Sequence, residues 1–401
     1  MQIPLQKIAS KPVQQESAEI ERIDLLGMNR AELIEFAELI GQPAFRGKQL
    51  YHWLYVERES DFEAMTDLPQ SLRKILPGMT STDPLKIVKE QNGFDGSLKL
   101  LLETEDHLRV EAVLIPEGER LTACLSSQVG CAVGCKFCAT GMMGFKRNLL
   151  AGEIIAQLFA IERTYGRRMT NVVMMGMGEP LLNRPALFRA LPILTDPDGV
   201  GISRKHLTVS TVGWLPGIKA LIKAVLSGKH EELSIDELRS EGRKTNYPKA
   251  VPANEGGNWF PRIKLALSLN ATTDEKRSEL MPLAGRYPLR EVLAAAAEYY
   301  DASKERVSIN YLLLAGKNDS DVDAKRLAFL ARDEAFKVGI MEYNDIGAEY
   351  TRSDSSRVDA FVKVLNDAGL DVTVRTSRGG DITAACGQLA GGYEKKEESG
   401  S

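Results

Sequence analysis

The chain is poor in the residues that usually announce a site. Its 401 residues include only four histidines, three tryptophans and five cysteines, and aromatics make up 6%. None of the histidines (His52, His107, His206, His230) sits at ligand spacing from a cysteine, which argues against a mixed Cys/His zinc centre. No apolar run approaches the roughly 18 residues of a membrane-spanning helix. Residues 1–22 mix lysine with Glu16, Glu19 and Glu21, so they lack both the apolar core of a secretion signal and the acid-poor composition of a transit peptide. These absences point to the cytoplasm. Positive charge is not in excess either: 51 Lys and Arg face 55 Asp and Glu, a net −4. A nucleic-acid-binding face would therefore be a local patch. Candidate pairs are Arg46 and Lys48, Arg73 and Lys74, Lys146 and Arg147, Arg167 and Arg168, Arg204 and Lys205, Arg375 and Arg378. Such pairs are ordinarily solvated surface.

What is present is an ordinary globular composition, 43% hydrophobic and 26% charged, with a change of periodicity along the chain. Residues 1–22 read as a tail. Residues 23–82 read as a small helical domain, opened by a capping-box pattern at Asn29 and Glu32 and continued by helical stretches over 45–56 and 72–76. Residues 83–118 read as a β-rich connector, with strands at 98–103 and 108–115. From 119 to 392, strand and helix patterns alternate. Strands are expected at 121–126, 171–177, 206–211, 263–268, 307–314 and 337–343, and helices at 186–194, 218–225, 289–299, 322–332 and 356–368. Six such units imply an α/β fold built on a parallel sheet, a partial (β/α)6 barrel. Residues 228–260 interrupt the rhythm as a polar insertion with a short helix near 234–240, and 393–401 form a second tail.

The cysteines are clustered. Cys131-Ala-Val-Gly-Cys135-Lys-Phe-Cys138 offers three thiolates on one short loop, the number needed to hold three corners of a [4Fe–4S] cube and leave the fourth iron open. An open iron can hold S-adenosylmethionine by its amino and carboxylate groups and, once reduced, split the sulfonium to give a carbon radical. A structural zinc site would need a fourth ligand, for which Cys124 is available, though it precedes the loop within a strand. Phe137 would shield a cluster or simply fill the core.

Met175-Gly-Met-Gly-Glu-Pro180 follows a strand but lacks the third glycine of a dinucleotide fingerprint. It reads better as a grip for an amino acid, with Glu179 meeting an ammonium, or as a helix N-terminal acid. Ser210, Ser268, Asn270 and Asn344 also fall at strand ends, where the active face of a βα barrel lies, although such residues commonly just form turns.

These stretches, together with Phe45-Arg-Gly-Lys-Gln-Leu, Cys124-Leu-Ser-Ser-Gln-Val-Gly-Cys131 and Arg378-Gly-Gly-Asp-Ile-Thr-Ala-Ala-Cys386-Gly-Gln-Leu, resemble the dual-specificity 23S rRNA/tRNA adenine C2-methyltransferases (RlmN), from about residue 25 to residue 392. The resemblance implies that Cys131, Cys135 and Cys138 hold a [4Fe–4S] cluster. It implies that Gly178, Glu179, Ser210, Ser268, Leu269, Asn270 and Asn344 contact S-adenosylmethionine, two molecules being used per turnover. Cys386 would carry the methyl group, Cys124 would resolve the protein–RNA link through a disulfide, and Glu111 would be the base. Implied partners are 23S rRNA, tRNA and a reductase or flavodoxin-like electron donor, with the protein a monomer. Several positions depart from the family pattern: Ser268-Leu269-Asn270 stands for Ser-Leu-His, Tyr343-Asn344-Asp345 for Trp-Asn-Pro, and Asn310-Tyr311 for Glu-Tyr. Two other readings stay open, a C8-adenine methyltransferase of the related antibiotic-resistance type and a non-catalytic iron–sulfur or zinc RNA-binding protein.

Overall fold

The computed structural model describes residues 22–228, 260–375 and 377–391. The helical domain starts and ends in a two-stranded parallel clasp, β1 (Ile23–Asp24) on β2 (Thr80–Ser81). Between them, α1 (Arg30–Leu39) begins with both arms of the expected capping box: the Asn29 side chain accepts from Glu32 N at 3.0 Å, and Glu32 Oε2 accepts from Asn29 N at 2.8 Å. Glu32 also pairs with Arg189 at 2.7 Å, so the residue that starts this helix also docks the domain onto the barrel. α2 (Ala44–His52) crosses α1 at Gly47, where a Cβ would strike the backbone of Leu33 and Ile34. α3 (Gln70–Met79) closes the domain.

Ten strands form one continuous sheet. β3 (Leu85–Asn92), β4 (Leu98–Thr104) and β5 (Arg109–Glu117) run antiparallel, and β5 hairpins into β6 (Arg120–Cys124). The connector expected at 83–118 is thus an extension of the barrel sheet rather than a separate layer. From β6 onward all pairings are parallel: β9 (Asn171–Met174), β10 (Leu207–Thr211), β11 (Lys264–Ser268), β12 (Val307–Leu313), β13 (Phe336–Glu342) and β14 (Val372–Arg375). The six expected parallel strands are present. β14 is a seventh, missed because four residues with an exposed edge carry no clear alternation. A small antiparallel hairpin, β7 (Gln128–Gly130) with β8 (Phe145–Asn148), pinches the base of the cysteine loop. The insertion at 228–260 lies almost wholly outside the described residues, as do both tails.

Helix α4 (Ala151–Tyr165) was not evident from sequence because every residue from Ala151 to Glu162 is buried, leaving no polar stripe to reveal a 3.6-residue period. It packs under β3, β4 and β5 and against the helical domain, where Gly152 abuts Leu26 O and the Asp24 carboxylate. Among the described residues no helix is long and apolar enough to cross a membrane. Alternate strand residues Leu265, Leu267, Val307, Ile309, Val338 and Ile340 join the main core under the outer helices. Leu312 and Tyr343, with Met341 packed against them, join a second cluster around the cysteine loop inside the barrel. Gly47→Ala should loosen the α1–α2 crossing by overpacking, costing about 1–3 kcal/mol in denaturant unfolding, whereas an unchanged unfolding midpoint would show that the helices yield freely.

Candidate functional site

The cysteine loop is shaped by its glycines. Gly130 (φ +74°) leaves no room for a Cβ beside Gly144 O, and Gly141 lies where a Cβ would come within 2.7 Å of Cys135 O. Cys131 N donates to Gly144 O at 3.1 Å, and Lys136 N donates to Leu280 O at 3.0 Å. The loop therefore holds its thiols in a fixed fold pressed against the barrel mouth. Burial first, then the Cys138 and Glu179 charges, push Cys131 up to about 12. The same causes, with Cys131 added, raise Cys135 well above its ordinary value. Thiols whose ionisation is disfavoured by burial and neighbouring charge, as at Cys131 and Cys135, are ones that bound iron would relieve. Among the described residues no three His, Cys, Asp or Glu side chains converge on a single metal ion. Cys124 interacts with Cys386 rather than with the trio, so the donor set fits three corners of a cluster better than a closed zinc site. Arg277, fully buried and donating to Ala284 O at 2.6 Å, places a cation near Cys135. Sequence reasoning missed it because a helix-borne arginine is ordinarily solvent-facing.

Glu179 lies beside this loop, 3% exposed. Its Oε1 accepts from Leu181 N at 3.1 Å and its Oε2 from Val212 N at 2.8 Å, so it both caps a short 3-10 turn and ties the β9 loop to the β10 loop. Burial pushes its carboxyl from 4.5 up to about 7, against the pull of these donors. Gly178 (φ +99°) is pressed on Gln128, whose amide oxygen accepts from Glu179 N at 2.9 Å. Ser126 is a second hub, also missed in sequence. Its hydroxyl donates to Glu111 O at 2.6 Å and accepts from Met177 N at 2.8 Å. Ser210 and Ser268 meet across β10 and β11, Oγ to Oγ at 3.3 Å.

Leu269 and Asn270, two of the expected cofactor contacts, bond to the neighbouring strand. Leu269 buries its side chain in the main core and donates its N–H to Asn310 O at 3.0 Å. Asn270 adopts φ +54°, which asparagine tolerates, and its Oδ1 accepts from Leu312 N at 2.9 Å. Asn318 Nδ2 then donates to Asn270 O at 2.8 Å. These residues lock the ends of β11 and β12 together, a use that no sequence pattern distinguishes from ligand contact.

The segment carrying Cys386 is stitched over the mouth. Ala139 N donates to Gly387 O at 2.7 Å, the Thr140 hydroxyl to Leu389 O at 2.6 Å, and Asn344 Nδ2 to Cys386 O at 3.2 Å. Its deepest anchor is a buried ion pair, Lys99 Nζ to Glu111 Oε1 at 3.1 Å, both side chains about 5–6% exposed. Lys99 also donates to Thr383 Oγ1 at 2.9 Å, and Glu111 Oε2 accepts from Ala390 N at 2.7 Å and Gly391 N at 3.1 Å. One pair thus holds the segment on both sides of Cys386. Desolvation by its neighbours raises the Cys386 thiol, Cys138 adds to this, and Arg375 opposes it. Cys386 as a residue is exposed, whereas Cys124 is buried, and that burial, with the Cys386 charge adding to it, pushes Cys124 up to about 12.

Two outcomes follow from this geometry. Lys99→Met strands the Glu111 charge, which should cost about 3–5 kcal/mol and speed hydrogen exchange over 383–391, while Lys99→Arg should largely restore protection; equal exchange in all three proteins would remove the anchor. Glu179 favours its protonated form on folding, so its contribution is complete below pH 4.5 and is lost as pH rises through about 7. Cluster-free Glu179→Gln should therefore lose less stability between pH 5 and 8, ending about 3 kcal/mol above the parent, as denaturant unfolding across that pH range would measure.

Residues 23–81 match the model of the ribosomal RNA large subunit methyltransferase N-terminal domain, and residues 125–252 match the radical SAM superfamily. The chain is 39% identical over 383 residues to a probable dual-specificity RNA methyltransferase RlmN of Salinibacter ruber, covering 92% of this chain and 94% of that one. A relative of the same description from Moorella thermoacetica is 39% identical over 378 residues, covering 92% and 97%. A solved radical SAM methyltransferase from Sphaerobacter thermophilus superposes with a TM-score of 0.78 at 39% identity, covering 92% of this chain and 99% of that one. Radical SAM proteins use a [4Fe–4S] cluster and S-adenosylmethionine, and the three-thiol loop described above suits that pair. The chain belongs to the RlmN family of radical SAM RNA methyltransferases.

Proposed function

We propose that this protein methylates C2 of adenine in 23S rRNA and tRNA, with Cys386 as methyl carrier, Cys124 as resolving thiol and Glu111 as base. The observation that carries the reading is a gathering of sulfur: Cys386 lies within electrostatic reach of Cys124 and of Cys138 of the trio. Carbon 2 lies between two ring nitrogens and is too electron-poor to attack a sulfonium methyl, so its new carbon has to be delivered by another route. When bound, the cluster and two molecules of S-adenosylmethionine supply the methyl group for Cys386 and a carbon radical able to take hydrogen from it.

The chain's own residues then have defined tasks. Cys386, on an exposed segment, can meet an adenine extruded from its stack. Once Cys386 is linked through CH2 to C2, the adduct's unpaired electron would return to the cluster and the C2 proton passes to Glu111, whose Oε2 has first to leave Ala390 and Gly391. The Cys124 thiolate attacks Cys386 sulfur. A sulfur–sulfur bond replaces the S–CH2 bond, and the released carbon is protonated to a methyl group. The disulfide is reduced again before another turnover, and a reductase or flavodoxin-like protein donates electrons. Burial keeps Cys124 protonated until the segment moves, which guards against a premature disulfide. In the helical domain Arg46 donates to Asp67 O at 2.9 Å and Arg73 to Glu63 O at 2.6 Å. The exposed Lys48 and Lys74 are therefore the better candidates there for an RNA grip.

Nucleosides of rRNA and tRNA from cells with and without the protein should differ in 2-methyladenosine, read by mass spectrometry; 8-methyladenosine in its place would overturn the C2 reading. Purified Cys124→Ala should carry covalently trapped RNA. Methylated Cys386 without such an adduct would remove Cys124 from the resolving role.

A further inference from the structure

One buried cation takes no part in the reaction above. Among the described residues only two cationic residues are buried, Lys99 and Arg277. Lys99 has Glu111 beside it. Arg277, 0% exposed, has no carboxylate at ion-pair distance among the described residues. Of the acids on its own helix, Asp274–Leu280, Asp274 accepts from Leu289 N at 2.7 Å, and Glu275 and Glu279 are exposed. The guanidinium donates to backbone instead: Nη1 to Ala284 O at 2.6 Å and Tyr287 O at 3.1 Å, and Nη2 to Val212 O, while Nε has no partner. Carbonyl dipoles leave a unit charge uncompensated, which is costly in a buried site. The fold nonetheless makes room for it, since a Cβ on Gly213 (φ +91°) would come to 2.9 Å from Nη2. The residues that hold the guanidinium lie against the cysteine loop. Ala284 shares one buried cluster with Cys135, Leu280 and Met281. Lys136 N donates to Leu280 O at 3.0 Å and Leu283 N to Val133 O at 3.4 Å, so the loop is bonded on both sides of Cys135 to the turn that Arg277 braces. Val212 gives its own N–H to Glu179 Oε2 at 2.8 Å. Burial draws the guanidinium down to about 10, and the charges of Asp274 and Cys135 oppose this.

We propose that Arg277 is the fixed positive charge that raises the reduction potential of the cluster held by Cys131, Cys135 and Cys138, a positioning residue that touches neither substrate nor cofactor. The inference rests on the reading that this trio holds a [4Fe–4S] cluster. Three thiolates around an oxidised core leave the unit with excess negative charge, and one electron, added without a proton, deepens it. A cation nearby in low-dielectric surroundings favours that addition. Bracing the turn does not by itself call for an arginine, because a neutral donor can serve backbone carbonyls without the cost of a buried charge. Full burial also keeps the side chain from reaching a carboxylate or phosphate in the mouth, so its charge acts through space on what the loop holds.

The test uses the full chain with its cluster, prepared anaerobically and without RNA or S-adenosylmethionine. It is titrated with titanium(III) citrate through redox mediators, and the reduced cluster is read by electron paramagnetic resonance. At the parent's midpoint potential, Arg277→Gln and Arg277→Met should show a reduced-to-oxidised ratio lower by about tenfold, a shift of roughly 59 mV for a one-electron couple. Arg277→Lys keeps the charge but cannot reproduce the planar fork, so its ratio should stay within about twofold of the parent's while its melting temperature falls. Parental potentials in both neutral variants overturn the proposal. So does a Lys variant displaced as far as the neutral ones, because loop geometry rather than charge would then set the potential. Should no neutral variant fold, the Lys variant decides alone: a lower melting temperature with the potential kept supports the proposal, and a shift of about tenfold in the ratio overturns it. A parent that takes up no four-iron chromophore sinks the cluster reading itself. A parent whose cluster forms, with a potential indifferent to the charge at position 277, sinks only this inference.

Discussion

A single buried ion pair, Lys99 with Glu111, decides whether the sulfur chemistry of this chain comes together. It sits on adjacent antiparallel strands, far in sequence from the Cys386 segment, and grips that segment at Thr383 and again at Ala390 and Gly391. Buried pairs contribute little net stability because desolvation offsets their attraction. What this one contributes is position, since both charges are satisfied only when the segment lies across the mouth. It also opposes the role proposed for Glu111, because a carboxylate holding two backbone N–H groups is not free to take a proton. Docking of the segment and availability of the base are therefore coupled through the same oxygen atom.

The same tension runs through the rest of the site. Cys131, Cys135 and Glu179 are buried in a way that raises each of their protonation equilibria. Arg277 lies within electrostatic reach of Cys135. A fold does not assemble such a group for stability; the strain is what bound cations would relieve, so folding of the loop and loading of the cofactors are linked. The three-stranded antiparallel extension gives the barrel a rigid wall at β4 and β5, and the β7–β8 hairpin fixes where the cysteine loop leaves it.

Strand ends divide into two kinds that look alike in sequence. Ser210 and Ser268 meet each other in the lumen. Leu269 and Asn270 turn into the walls and bind β12. The difference arises because Asn270 takes a left-handed backbone, which rotates its side chain out of the pattern that precedes it.

From sequence alone, the alternation of apolar residues was enough for six parallel strands, most helices and the capping box at Asn29, because local periodicity and capping are properties of neighbouring residues. The three-thiol loop was legible for the same reason, its ligands lying within eight positions of one another. Helix α4 was hidden by burial on all sides, β14 by its brevity, and Lys99, Arg277 and Asn318 by the ordinariness of their sequence surroundings. Their roles come from partners between 4 and 284 residues away. A buried charge or amide acquires its meaning from what the folded chain places opposite it, and that was decided only by tertiary structure.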